Sequence, residues 1–175
     1  MSLTNYTNAM SCSSDGISVN QMVKPLYDGL SSHCLTSAGL VIKAGGGLLV
    51  KAGSAFWAMA DGVLVNKAAN TDMAALSGTI LPLTHNVFCF FIDKAGTLTS
   101  AMGTTSLTAS GYSAIVFPPM PEKKAMIGFV YVAGHATNTF IGNDGTAGVL
   151  DGTTYTLAAS TYCSLTGPLN PTTTI

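Results

Sequence analysis

Three histidines, His33, His85 and His135, are the side chains best suited to general-base or metal-ligand chemistry, and they stand 52 and 50 residues apart. An imidazole titrates near neutrality and binds metals readily, but a working site needs several such groups converging. Each histidine has a different local context ("SSHCLT", "LTHNVF", "AGHATN"). They are expected to be ordinary surface or half-buried residues.

Other chemistry-bearing patterns are thin. A serine nucleophile favours a sharp G-x-S-x-G elbow, and "GYSAI" around Ser113 lacks the second glycine. Gly45, Gly46 and Gly47 are not followed by Lys-Ser/Thr and a helix, so they make a turn and no phosphate loop. "GNDGTAGVLDG" carries Asn143, Asp144 and Asp151, hard oxygen donors without EF-hand spacing, and turns use the same residues. One glutamate and seven aspartates, most beside glycine, offer no acid/base couple. Cys12, Cys34, Cys89 and Cys163 lie far apart with no CxxC pair, which argues against zinc or a redox dithiol. Two disulfides are arithmetically possible, and nothing in the sequence requires them. No catalytic, cofactor-binding or metal residue is assigned, no cofactor is expected, and the chain is expected not to be an enzyme. Trp57, Tyr112 and Tyr155 could instead stack on a glycan, although Trp57 in "SAFWAMA" is expected to pack in the core.

Composition points toward association. Charged residues are 9% of the 175-residue chain, against roughly 25% in a typical soluble domain. Arginine is absent and hydrophobic residues reach 47%. A surface so poor in charge has little to oppose contact with other molecules. Much of it is therefore expected to be covered by other copies or by a partner. Seven scattered lysines and a net charge of −1 provide no footprint for nucleic acid or for an acidic membrane. No apolar run approaches the ~20 residues of a membrane helix. The opening "MSLTNYTNAMSCSSDG" lacks the basic start and apolar core of a secretory signal, so none is expected.

The elements that would position these residues read as β-strands. "GLVIKAGGGLLVKAG" predicts two strands around a glycine turn. "AFWAMADGVLVNKA" predicts a hairpin at Asp61-Gly62, since a type I′ turn needs positive φ at both central residues. "NVFCFFIDKAGTLTSAM" predicts another, turning over Asp93 to Gly96. In its first strand Val87, Cys89 and Phe91 share one face and Phe88, Phe90 and Ile92 the other, so both faces are expected to be covered. "AMIGFVYVAG" predicts a second strand buried on both sides, with Met126, Gly128, Val130 and Val132 opposite Ile127, Phe129 and Tyr131. "NTDMAALSG" predicts one short helix, capped by Thr71 or Asp72 and ended by Gly78. Residues 1–30 read as an N-terminal arm, 31–163 as a β domain and 164–175 as a C-terminal tail. The expected fold is all-β: an antiparallel sandwich or barrel with one short helix and extended N- and C-terminal arms.

One stretch, "FPPMPEKKAMIGFVYV" (117–132), gathers the only glutamate, Glu122, beside the only adjacent lysines, Lys123 and Lys124. Pro118, Pro119 and Pro121 should stop an incoming strand and set a rigid approach to the next. The charges then serve as turn or edge residues that discourage wrong pairing. Gly128 should mark a bulge or a close backbone approach. The alternative gives Lys123-Lys124 an acidic patch on a partner.

The run Pro121, Lys124, Ala125, Ile127, Gly128, Phe129, Val130, Val132, then Phe140, Gly145, Leu150 and Asp151, resembles virion structural proteins of tailed bacteriophages. "FWAMADGVLVNKAANTD" and "FCFFIDKAGTLTSAMG" look like hairpins of that group, and the likeness spans about residues 40 to 155. Within the group the chain looks most like a capsid cement, or decoration, protein. That resemblance implies a β-rich homotrimer on the capsid exterior, bound to the major capsid protein and stabilising contacts between capsomers. The alternatives are a tail or head-fibre attachment protein, or a glycan- or receptor-binding β module.

Overall fold

A computed structural model describes residues 30–43, 47–104, 115–150 and 161–166. The expected N-terminal arm thus lies outside the described residues apart from Leu30, and the tail apart from residues 164–166. Among the described residues the strands form four antiparallel sheets. One joins β1 (His33–Cys34), β4 (Phe56–Ala60) and β5 (Val63–Lys67) in the order β1-β4-β5. The largest has the order β11-β9-β7-β8, built from β7 (His85–Asp93), β8 (Leu98–Met102), β9 (Lys124–Ala133) and β11 (Thr161–Ser164). Two small ribbons, β2 (Leu40–Ile42) with β3 (Val50–Ala52) and β6 (Thr79–Ile80) with β10 (Phe140–Ile141), complete it. The chain is all-β and consistent with a sandwich.

The hairpins form where the turn residues demand them. Asp61 and Gly62 have φ of 51° and 75°, the pair of positive values that a two-residue turn matched to strand twist requires. Gly96, at φ 81°, closes the β7–β8 turn, and the Asp93 carboxylate accepts the amides of Ala95 and Thr97 at 2.9 and 2.8 Å. Strand β7 lies between β9 and β8 and is covered on both faces. Phe88, Phe90 and Ile92 enter the main core with Phe56, Ala58, Ile127 and Val130. Val87, Cys89 and Phe91 enter a second core with Met126 and Ile115, on the other side of the sheet.

Two expectations need correction. Residues 71–78 form no helix. Asn70 to Met73 instead run along the edge of β3, with Ala52 donating to the Thr71 carbonyl at 2.9 Å and Met73 to that of Val50 at 2.8 Å. The main chain of Asp72 also pairs antiparallel with that of Lys51. So short a helix gains few internal bonds for its nucleation cost. The edge supplies the bonds and lets Met73 and Leu76 reach the core.

The second correction concerns β9. Phe90 pairs with Gly128 and Phe91 with Met126, so Ile127 is an extra residue and the alternation changes phase there. The main core receives Ala125 and Ile127, then Val130 and Val132. Met126, Phe129 and Tyr131 face the second core, where Phe129 and Tyr131 are only half-buried. Gly128 is required by proximity: a Cβ there would strike the Cys163 carbonyl of β11 and lie 2.7 Å from Leu40 Cδ1.

Candidate interaction surface

The β1-β4-β5 sheet buries one face and exposes the other. Phe56, Ala58 and Ala60 of β4 point into the core, while Trp57 is 44% exposed on the opposite face. Trp57 therefore does not pack in the core as its sequence context suggests: strand alternation fixes it opposite Phe56 and Ala58. Met59, two residues on, sits between His33 of β1 and Leu64 of β5 in the cross-strand register. Leu64 is 53% and Leu35 44% exposed. The outward face thus carries His33, Leu35, Trp57, Met59, Leu64 and Asn66 without a charged side chain among them. That combination favours contact with another apolar surface over a solvated exterior.

Charge is gathered at the turns. Lys94 Nζ lies 2.9 Å from Asp61 Oδ2, tying the β7–β8 turn to the β4–β5 turn. That hydrogen bond, with the nearby charges of Lys94 and Lys123, holds the Asp61 carboxyl below the usual carboxylate range. Asp93 is held low by the Thr97 amide first, and also by Lys124. Glu122 and Lys123 form the turn before β9, with Lys123 at φ 61°. Lys124 opens the strand and donates to Thr99 Oγ1 at 3.0 Å. Each of the adjacent lysines therefore has an acidic residue of this chain nearby, which favours an architectural role over an acidic patch on a partner. Pro118, Pro119 and Pro121 lie in the unpaired approach to that turn.

Among the described residues the chemistry-bearing side chains do not converge. His33 Nδ1 is buried without a hydrogen-bond partner. His135 Nδ1 accepts the amides of Thr137 and Asn138 at 3.2 and 3.3 Å, a local loop cap. His85 is buried at the start of β7, its Nδ1 2.8 Å from the Tyr131 hydroxyl and its ring stacked on the tyrosine. Its Nε2 is buried and unpartnered, and burial lowers its pKa. Next to it Asn86 is fully buried, donating to the Gly103 carbonyl at 2.9 Å. Nothing in "LTHNVF" announced this buried polar pair. Asp144 accepts the amides of Ala147 and Thr146 at 2.7 and 2.9 Å, a turn device. Cys34, Cys89 and Cys163 are free thiols, and burial pushes Cys34 and Cys89 up to about 12. Cys12, Tyr112, Ser113, Asp151 and Tyr155 lie outside the described residues. Among the described residues no group of three or more His, Cys, Asp or Glu could hold a metal ion. No helix among them is long and apolar enough to cross a membrane.

No family model, no curated protein and no solved structure matches the chain.

Proposed function

We propose that this chain is a non-enzymatic structural protein of a virion, a capsid cement or decoration protein on the capsid exterior. Its partner is the major capsid protein, and it acts as a homotrimer that stabilises contacts between capsomers. The observation that carries this reading is the uncharged, apolar outer face of β1-β4-β5, on a chain with 9% charged residues. Such a face gains free energy from burial at about 25 cal/mol per Å² of apolar area removed from water. Attachment made this way is insensitive to salt, because few ion pairs are there to be screened. The phage resemblance of the hairpins and of residues 121–151 supplies the identity of the partner, and the burial chemistry supports the mode of contact.

The test is co-sedimentation with capsid shells assembled from the major capsid protein of the same virion. Equal binding at low and at molar salt is expected, and release by moderate salt would contradict the apolar contact. A second reading has one observation in its favour. Trp57 is exposed beside Asn66 and Thr36, a combination that also suits stacking on a sugar ring. Binding to immobilised glycans, lost in Trp57→Ala, would favour that reading.

A further inference from the structure

We propose that two copies of this chain pair through β5, edge to edge and antiparallel, with Leu64 of each copy hydrogen-bonded to Asn66 of the other. The main-chain directions in the β4–β5 hairpin lead to this register. Trp57, the cross-strand partner of Asn66, turns its own main chain away from β5: its N–H donates to Thr36 Oγ1 at 2.8 Å and its carbonyl accepts from the Leu35 amide at 2.9 Å. The Trp57–Asn66 pair is therefore a non-hydrogen-bonded one, and the N–H and C=O of Asn66 also point away from β4. Two residues earlier, Leu64 does the same, because this alternation has a period of two. Neither residue's outward main-chain groups have a partner among the described residues.

An open edge of this kind is a template for another strand unless it is blunted by proline, a bulge or inward-facing charge. "VLVNK" has none of these before its terminal Lys67. Val63, Leu64 and Asn66 are exposed, and a Cβ on Gly62 at the adjoining turn would meet nothing within 4 Å. The edge is accessible and hydrophobic.

The second copy is favoured as the occupant by self-complementarity. A two-fold axis at Val65 sets Leu64 against Asn66 of the other copy twice over, satisfying all of these outward groups at once. Centring the axis on Leu64 or Asn66 would pair only one of them with itself. In the Val65 register Lys67 falls opposite Val63 of the other copy, so no like charges face each other across the contact. The two outward faces then form one continuous six-stranded apolar surface. This pairing goes beyond the proposed virion role and does not depend on it. On a trimer, the same two-fold contact would join one trimer to the next.

Mixing full-length Leu64→Cys with full-length Asn66→Cys and adding a short bifunctional thiol reagent tests the register. Cross-linked dimer is expected chiefly in the mixture, above either variant alone and above the wild type with its native thiols. A yield no higher than wild type overturns the pairing and assigns the edge to another segment or another protein. Equal yields in all three samples overturn the register. Leu64→Pro is the second variant, since it removes an N–H that the β4–β5 ladder does not use. Two lost donors and two stranded carbonyls should raise the dissociation constant about 30-fold or more. An unchanged dissociation constant in a folded Leu64→Pro protein overturns the proposal.

Discussion

Phe90 and Gly128 face each other across β7 and β9 at the point where the ladder gains an extra residue, Ile127. The phase change delivers Ile127 and Val130 to the same core, three positions apart in a strand where strict alternation would separate them. Gly128 also admits β11 from the other side, since its missing side chain leaves room for the Cys163 carbonyl. Gly128 thus stands where the facing of β9 changes and itself sets the approach of the next strand.

Gly128→Ala should therefore destabilise the protein although alanine is a small residue. Overpacking costs about 1–3 kcal/mol, and a domain of this size loses about 2–4 °C of melting temperature per kcal/mol. A calorimetric melt reads the shift. An unchanged transition would mean that β11 can move aside without cost.

Phe90→Ala should cost about 3–5 kcal/mol, the range for emptying a large aromatic site in a packed core. Phe90 is fully buried on the central strand, among the main-core residues. Urea unfolding measures the loss.

Trp57 is the only tryptophan, so tryptophan fluorescence, excited selectively over the tyrosines, reports on the outward face. Iodide should quench it in dilute protein, and association or docking should protect it. Trp57→Ser should leave stability within about 0.5 kcal/mol, as expected for a surface change, while weakening association. A large loss of stability would place the indole in the core after all.

His85 provides the pH prediction. Burial lowers its pKa in the folded state below the ordinary imidazole value of about 6.5. Between the folded and unfolded pKa values the unfolded chain binds more protons, so stability rises with pH in that window. It should be complete above about pH 6.5 and fall as the pH drops toward the folded pKa. The lowered carboxyls of Asp61, Asp93 and Asp144 titrate in a separate, more acidic window, below the ordinary carboxylate range. Urea midpoints at pH 7.5 and 5.0 should differ in the wild type and converge in His85→Gln. An equal difference in both proteins would assign the effect elsewhere.

The turns were legible because their chemistry is local. Asp61-Gly62 needs two positive φ angles and Gly96 one, and few residues supply them. The two-sided burial of β7 was equally readable from its continuous apolar run. The failures were non-local. Residues 71–78 have acceptable helix ends, but the vacant edge of β3 outbids a single turn of helix, and no window of sequence contains that edge. The bulge at Ile127 appears only when β9 meets β7. Trp57 looked like core because its neighbours are apolar. Its outward facing follows once Phe56 and Ala58 are known to point inward. The open edge of β5 was hidden because it depends on the sheet order β1-β4-β5, which no local pattern specifies.

Association through uncharged surface is the central claim, and the mass of the purified full chain in solution tests it most directly. Light scattering after size exclusion should give a multiple of 17.9 kDa that persists at high salt. A stable 17.9 kDa monomer across the whole usable concentration range would contradict it.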